Sequence, residues 1–444
     1  MTKKKIKLAL SMRGVGYHQA AWRHPNAKPE DEMSIRLYQE SAQTAERGLF
    51  DMIFFADGIG VREKGSKDAI ARFSTISRID PLMLLPALAM VTKNIGLAAT
   101  VSTTYNEPYN VARRFASLDH ISSGRACWNV VTSWSDAEAH NFGLDAQLDK
   151  THRYHRAHEF VEVAFGLWDS WESGALEFNK AHGRFFDPYR VHDLDHEGDF
   201  FKVKGPLNVS RCPQGRPVIC QAGASKLGQD MAAEQADVVF CGADSVDSAR
   251  DYYSSVKGRL ENFNRTRDDI LVMPGVSVIV GDTEAEAQGK YQYLQSLIHP
   301  DAGRAMLEMY MMEVPDIDVD EPLPKSLGVN TRLSMGEAMR KLADEPGMTL
   351  RRWYENVANA RGHVNIIGTP EQVAEKLAMW IDTNAADGFI VAPSVVPNSI
   401  DEFVDKVIPV LQDMGRYRTQ YEGSTLRENL GLRTPVNRFS TVSS

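Results

Sequence analysis

The feature that most limits what this chain can become is a repeated alternation. Short runs that are apolar almost without interruption are separated by amphipathic stretches of helical period. The runs are Ile6–Met12, Phe50–Asp57, Ile95–Thr103, Arg125–Ser133, Pro217–Gly223, Asp237–Gly242, Leu271–Gly281 and Gly388–Ser394. A strand with one face in water alternates polar and apolar residues, whereas a continuous apolar run suits a strand covered on both faces, as in a parallel sheet. Helical patterns follow over Met33–Gly48, Asp80–Thr92, Tyr109–Leu118, Tyr154–Trp171, Lys226–Ala236, Val246–Phe263, Glu284–Leu297, Thr369–Asn384 and Ile400–Met414. Repeated strand–helix units predict an α/β fold, and eight of them predict closure into a (β/α)8 TIM barrel. A doubly wound open sheet is the structural alternative.

A barrel of this kind needs about 250 residues. The chain has 444, and the surplus falls into recognisable insertions: 58–79, 172–216, 299–363 and a polar tail at 416–444. The expectation is one barrel domain spanning 1–444, with His299–His363 as a candidate lid. Fifty Lys and Arg against 59 Asp and Glu leave a net charge of −9, which argues against a basic nucleic-acid binder. Four scattered cysteines, Cys127, Cys212, Cys220 and Cys241, form no CxxC pair, so a thiolate metal site is not expected. The opening MTKKKIKLALSM is too short in apolar residues for a signal segment. No window approaches a membrane span. A cytoplasmic protein without membrane or nucleic-acid partners is the expectation.

Common nucleotide and nucleophile signatures are missing: there is no GxGxxG after a strand, no GxxxxGK[ST] and no GxSxG. His152, His155 and His158 recur at a spacing that shares a helix face, but Arg153 and Arg156 beside them disfavour a cation. His18 and His24 flank QAAWR and offer a base or a substrate contact, or a structural imidazole. Gly223, Ala224 and Ser225 end a predicted strand and open a helix. Backbone N–H groups and a hydroxyl there suit a phosphate, or an ordinary helix cap. Asp57 closes FDMIFFAD at a strand's C-terminal end, the side on which barrels carry their sites.

These motifs stand in a fixed order: AWRHP, FFADG, DPLMLLPALAMVT, the long block ATVSTTYNEPYNVARRFASLDHISSGRACWNVVTSW, NFG, RYHRAHEFVEVAFGLWDSW, GPLNV, PVICQAGAS and DGFIVAP. With the tail FVDKVIPVLQDMGRYRTQYEGSTLRENLGL they cover nearly the whole chain. Together they resemble the nitrilotriacetate monooxygenase and dibenzothiophene sulfone monooxygenase family of bacterial luciferase-like flavin-dependent monooxygenases. The resemblance implies reduced FMN and O2 as co-substrates, a separate NAD(P)H:FMN reductase as partner, and a homodimer or homotetramer. It places Asp57 and the strand end Ser102–Thr103 against the flavin, Tyr154 and Ser225 near its phosphate, and His18 on the substrate side as the catalytic candidate. Lys150 stands where the family usually has a His, and can meet a phosphate as a point charge. Trp134 stands at a position that varies between branches, so it is expected to shape the substrate pocket. The tail and Ser296–Gly303 look nearest to the sulfone branch, which implies an aromatic or heterocyclic sulfur substrate. Two other readings use the same residues: a hydride-transfer enzyme using FMN or a deazaflavin, and a non-catalytic flavin-binding subunit.

Overall fold

The structure, a computed structural model, describes residues 3–61, 65–308, 314–324, 342–360 and 363–440. Eight parallel strands close into a barrel: β1 Lys7–Met12, β2 Met52–Phe55, β3 Gly96–Ser102, β4 Ala126–Val131, β5 Val218–Ala222, β6 Val238–Cys241, β7 Leu271–Val280 and β8 Gly388–Pro393. Neighbours pair in sequence order, Leu10 of β1 lying level with both Ile53 and Val391. The β6–β7 ladder and the β1–β8 ladder leave no gap in the ring. Each predicted strand is present, shortened by a residue or more. The open-sheet alternative is excluded by that closure.

The two-sided apolar signal has a direct structural cause. Leu8, Leu10, Ile53, Leu97, Trp128, Val239 and Phe389 face outward and are buried under the helices. Ala9, Met52, Phe54, Ala98, Cys127, Cys220, Val238, Met273 and Ile390 face inward and fill the barrel. Ile35–Arg47, Pro81–Ala89, Pro108–Ile121, Lys150–Asp169, Lys226–Gln235, Val246–Arg259 and Pro370–Asp382 supply the outer layer. Asp80 starts the second of these by accepting the Leu82 N–H at 2.7 Å, ahead of Pro81 at the first helical position.

The two ends of the barrel differ. At the N-terminal end, the segment expected to be a polar tail is a plug. Leu426 and Leu430, four residues apart on the short helix Leu426–Leu430, enter the inward apolar cluster with Leu432. Arg427 pairs with Asp237 at 2.8 Å, and Arg418 pairs with Asp51 at the foot of β2. Lys7 reaches the Asn429 carbonyl at 2.6 Å. Pattern reading missed this because the tail's apolar residues are few; two leucines on one helical turn suffice to fill a barrel end. At the C-terminal end the inward positions turn polar: Thr100 and Ser102 follow Ala98, Asn129 follows Cys127, and Ser277 follows Met273 by four.

The insertions have structure of their own. Ala69 and Phe73 of the 58–79 segment pack with Ala302, Met306, Trp353 and Tyr354 of helices Pro300–Leu307 and Leu350–Ala360, making a second small core. Residues 172–216 form two hairpins, Leu176–Asn179 with Arg184–Phe186 and His196–Glu197 with Lys202–Val203. Of the candidate lid 299–363, residues 309–313, 325–341 and 361–362 lie outside the described residues. A further strand, Val364–Gly368, pairs in parallel with Val276–Val280. It begins where β6 ends: Pro274, which has no N–H, is the last β7 residue in register with β6. Among the described residues, no helix is long and apolar enough to cross a membrane.

Candidate functional site

The C-terminal ends of β2 to β5 bring together most of the residues singled out above. Ser102 is buried at the end of β3; its hydroxyl lies 2.9 Å from Ser133 Oγ and accepts the Thr104 N–H at 3.1 Å. Thr103 donates its hydroxyl to the Val131 carbonyl at 3.3 Å. One layer deeper, Asn129 donates to Thr100 Oγ1 at 2.8 Å, and Thr100 donates to the Phe55 carbonyl at 2.8 Å. Asn129 Oδ1 is left buried with no hydrogen-bond partner among the described residues. A buried acceptor without a donor costs about 1–3 kcal/mol, so Asn129 Oδ1 is placed to accept a hydrogen bond from a bound group.

After β5 the chain turns through Gly223–Ser225 into the helix Lys226–Gln235. Ser225 accepts the Gly228 N–H at 3.3 Å, which leaves its own hydroxyl proton free to donate. Gly223 and Gly228 meet face to face: a Cβ on Gly228 would stand 3.0 Å from Gly223 Cα and 3.0 Å from the Tyr154 hydroxyl. Two glycines therefore let the turn close and let Tyr154, from the helix Lys150–Asp169, reach it. Tyr252 donates to the Gly223 carbonyl at 2.8 Å from the other side, and burial raises the pKa of its phenol well above the usual value. The donor set here consists of a hydroxyl, a phenol and the N–H groups of a helix start. It has the chemistry a phosphate monoester requires. Lys150 is exposed one helical turn before Tyr154, on the same face.

Asp57 follows β2 and faces Arg78 of the 58–79 insertion, with Nη1 to Oδ1 at 3.6 Å. Glu32, Arg13, Tyr38 and Arg78 line a small cavity of about 30 Å³ beside it. Burial pushes the Glu32 carboxyl up to about 7 even though Arg13 and Arg78 oppose the shift. His18 lies beyond β1 and is buried. Its Nδ1 accepts the Ala20 N–H at 3.1 Å, and its Nε2 lies 3.0 Å from Gln295 Oε1. The Gln295 amide nitrogen donates to the Glu355 carbonyl at 2.9 Å, so its oxygen is the atom facing His18. The ring is therefore held as the neutral Nε2–H tautomer. Trp134 is half exposed in the loop after β4, and the rings of Tyr105 and Phe142 stack at 4.5 Å.

Sequence reasoning missed four contributors. Arg153 donates to the carbonyls of Ser133 and of Leu148, the latter at 2.9 Å. Arg156 donates to the Thr103 carbonyl and lies over the Phe201 ring at 4.7 Å. The two arginines flanking Tyr154 thus fasten the loops after β3 and β4. Buried Glu138 accepts the N–H groups of Ile59, Trp134 and Ser135 at 3.3–3.4 Å, tying the β2 and β4 loops together. His363 enters the mouth from the start of the extra strand, its ring 5.1 Å from that of Phe240. The three-histidine pattern disperses: His158 pairs with Glu234 at 2.8 Å and His152 packs edge-on to Phe200. Among the described residues, no group of side chains could hold a metal. The four cysteines are free and buried; burial pushes Cys220 up to about 12, so it is an inert part of the barrel filling.

With this geometry the chain can be placed. It belongs to the luciferase-like monooxygenase family, whose model matches residues 15–387. It is 46% identical over 99% of both chains to the N-acetyl-S-(2-succino)cysteine monooxygenase of Bacillus subtilis (strain 168). It is 45% identical over 99% of both chains to nitrilotriacetate monooxygenase component A of Aminobacter aminovorans. The dibenzothiophene-sulfone monooxygenase of Rhodococcus erythropolis is 40% identical over 95% of each chain. Among solved structures, DmoA from Hyphomicrobium sulfonivorans superposes with a TM-score of 0.87 at 32% identity, over 96% of this chain and 92% of that one. Riboflavin lyase with modified FMN gives 0.85 at 30% identity, over 97% of each chain. The chain is an oxidoreductase, a monooxygenase that uses reduced FMN and O2.

Proposed function

We propose that this protein oxygenates a small organosulfur compound with reduced FMN delivered by a separate NAD(P)H:FMN reductase. The observation that carries the flavin assignment is the meeting of Tyr154 with the Gly223–Ser225 turn across Gly228. Gly223, Ala224, Ser225 and Tyr154 hold the phosphate, with Lys150 as an outer point charge. Asp57, Ser102 and Thr103 would meet the flavin ring, with Arg78 paired to Asp57. Bound reduced flavin supplies the electrons that activate O2. Substrate, O2 and FMNH2 yield oxygenated substrate, FMN and water. His18, with both ring nitrogens engaged, orients the β1 loop on the substrate side. Trp134 lines the entrance. The relatives named above act on a sulfur-linked cysteine conjugate, an aminopolycarboxylate and a sulfone, and sulfur is common to two of them. Assembly as a homo-oligomer is part of the same proposal.

The test is oxygen incorporation. The protein is loaded anaerobically with chemically reduced FMN and mixed with ¹⁸O₂ and N-acetyl-S-(2-succino)cysteine or dibenzothiophene sulfone. One ¹⁸O in the product by mass spectrometry is expected. Peroxide release alone, at the rate of free flavin with every sulfur probe, would refute the reading.

A further inference from the structure

His363 occupies a place that nothing in its local sequence announces. The strand Val364–Gly368 takes up the β7 ladder at Val276, just past the end of β6. It therefore continues the line of β6 above the barrel. His363 stands level with Gly275, and residues at one level of a parallel pair point to the same face. That face is the inside of the barrel, because Met273, two residues earlier, belongs to the inward filling. A Cβ on Gly275 would stand 2.8 Å from His363 Nδ1 and 2.9 Å from its Cγ, so the glycine is what admits the imidazole. The ring rests on Phe240 at 5.1 Å and 61°, and Phe240 packs on Phe54 at 6.2 Å. Those two phenylalanines close the barrel below.

The residues assigned to the flavin lie on the ends of β2, β3 and β5 and on the helix after β4. His363 is on the other half of the ring, over β6 and β7; on the same face of β7 as Gly275, Ser277 meets Ser394, the residue after β8, with Oγ atoms 3.1 Å apart. We propose that His363 is the floor of the substrate half of the mouth and hydrogen-bonds an acceptor group on the substrate, of the carboxylate class. The proposal rests on the flavin-dependent oxygenation described above. It adds a polar requirement that an all-aromatic floor would not impose: a site built around a hydrogen-bonding side chain discriminates against ligands lacking the matching group.

Two variants separate the nitrogens from the ring. His363→Phe keeps the packing on Phe240 and removes both nitrogens; His363→Gln sets an amide near the Nε2 position, Nδ1 being the nitrogen held against Gly275. Reduced-FMN affinity is measured anaerobically for each. The kcat/KM is measured for N-acetyl-S-(2-succino)cysteine, nitrilotriacetate and dibenzothiophene sulfone. The expected result is unchanged flavin affinity in both variants, with kcat/KM for the carboxylate probes lowered about tenfold or more in H363F and partly restored in H363Q. Full activity of H363F on those probes overturns the proposal. So does a wild-type enzyme that oxygenates the sulfone and neither carboxylate probe. Failure of the wild type to bind reduced FMN would instead remove the flavin reading beneath it.

Discussion

The Tyr154–Gly228 contact separates flavin binding from folding. Tyr154→Phe removes one hydroxyl from the proposed phosphate site and nothing from the hydrocarbon packing. A hydrogen bond to a charged group is worth about 1.5–3 kcal/mol. At about 1.4 kcal/mol per tenfold, the dissociation constant for reduced FMN should rise roughly 10- to 150-fold. Gly228→Ala reaches the same hydroxyl from the other side, because the new methyl would stand 3.0 Å from it and 3.0 Å from Gly223 Cα. Either the phenol or the turn must yield by a few tenths of an ångström. Gly228 lies in the first turn of the helix Lys226–Gln235, and alanine inside a helix is ordinarily favoured over glycine by about 0.5–1 kcal/mol. A loss of flavin affinity without a loss of Tm would therefore place the effect in the site and not in the fold. The two substitutions share a contact, so their effects should combine to less than their sum: in Tyr154→Phe the atom that the methyl displaces is gone. Anaerobic calorimetric titration of the four proteins with reduced FMN gives the cycle. Affinity of Y154F within about twofold of wild type, or strict additivity in the cycle, would refute the placement of the phosphate.

Three further outcomes follow from other parts of the chain. Glu32 has its carboxyl raised by burial from 4.5 to about 7, so the folded state holds this proton more tightly than the unfolded one. Stability contributed by that proton is present below pH 4.5 and is lost as pH rises to 7. Glu32→Gln should flatten the fall in Tm over this window, and parallel Tm profiles for the two proteins would contradict it. Arg418→Met strands the fully buried Asp51 carboxylate at the barrel foot. Unfolding free energy should drop by about 3–5 kcal/mol and be largely recovered in the Asp51→Asn/Arg418→Met pair, read by chemical denaturation. Glu138→Ala leaves three N–H groups of the β2 and β4 loops without their carboxylate. The expected cost is about 1–3 kcal/mol with faster limited proteolysis within 58–79, and unchanged cleavage there would count against its tying role.

The barrel was legible because its signal is redundant. Each strand must be apolar on two faces, so eight independent runs carried the same message. Asp57 and Ser225 stood out as candidates for a related reason, each being a polar residue just past an apolar run, whereas Ser102 and Thr103 were reached only through the family resemblance. What stayed hidden depends on register between distant segments. Arg153 and Arg156 entered the sequence reading only as charges that disfavour a cation, yet they bond to carbonyls contributed by the β3 and β4 loops. The plug at Leu426 and Leu430 is two residues in a polar stretch, meaningful only beneath a barrel that leaves an end open. Strand Val364–Gly368 is short, and it was absorbed into the boundary between an insertion and the helix that follows it.

Gly275 shows how such hidden placement works. In the sequence LVMPGVSVIVG it reads as a weak spot inside a strand, and Pro274 beside it reads as an interruption. In the barrel the two act together. The proline ends the pairing with β6, which frees the β7 edge for a new strand from Val276 onward. The glycine leaves the space into which the first side chain before that strand projects. A pair of residues that looks like damage to a β-strand thus sets where a histidine 88 residues beyond Gly275 can stand, at the head of the ladder they open. The same two residues that break the local rule define the floor of the mouth, and this is why the substrate half of the site could not be read from any one motif.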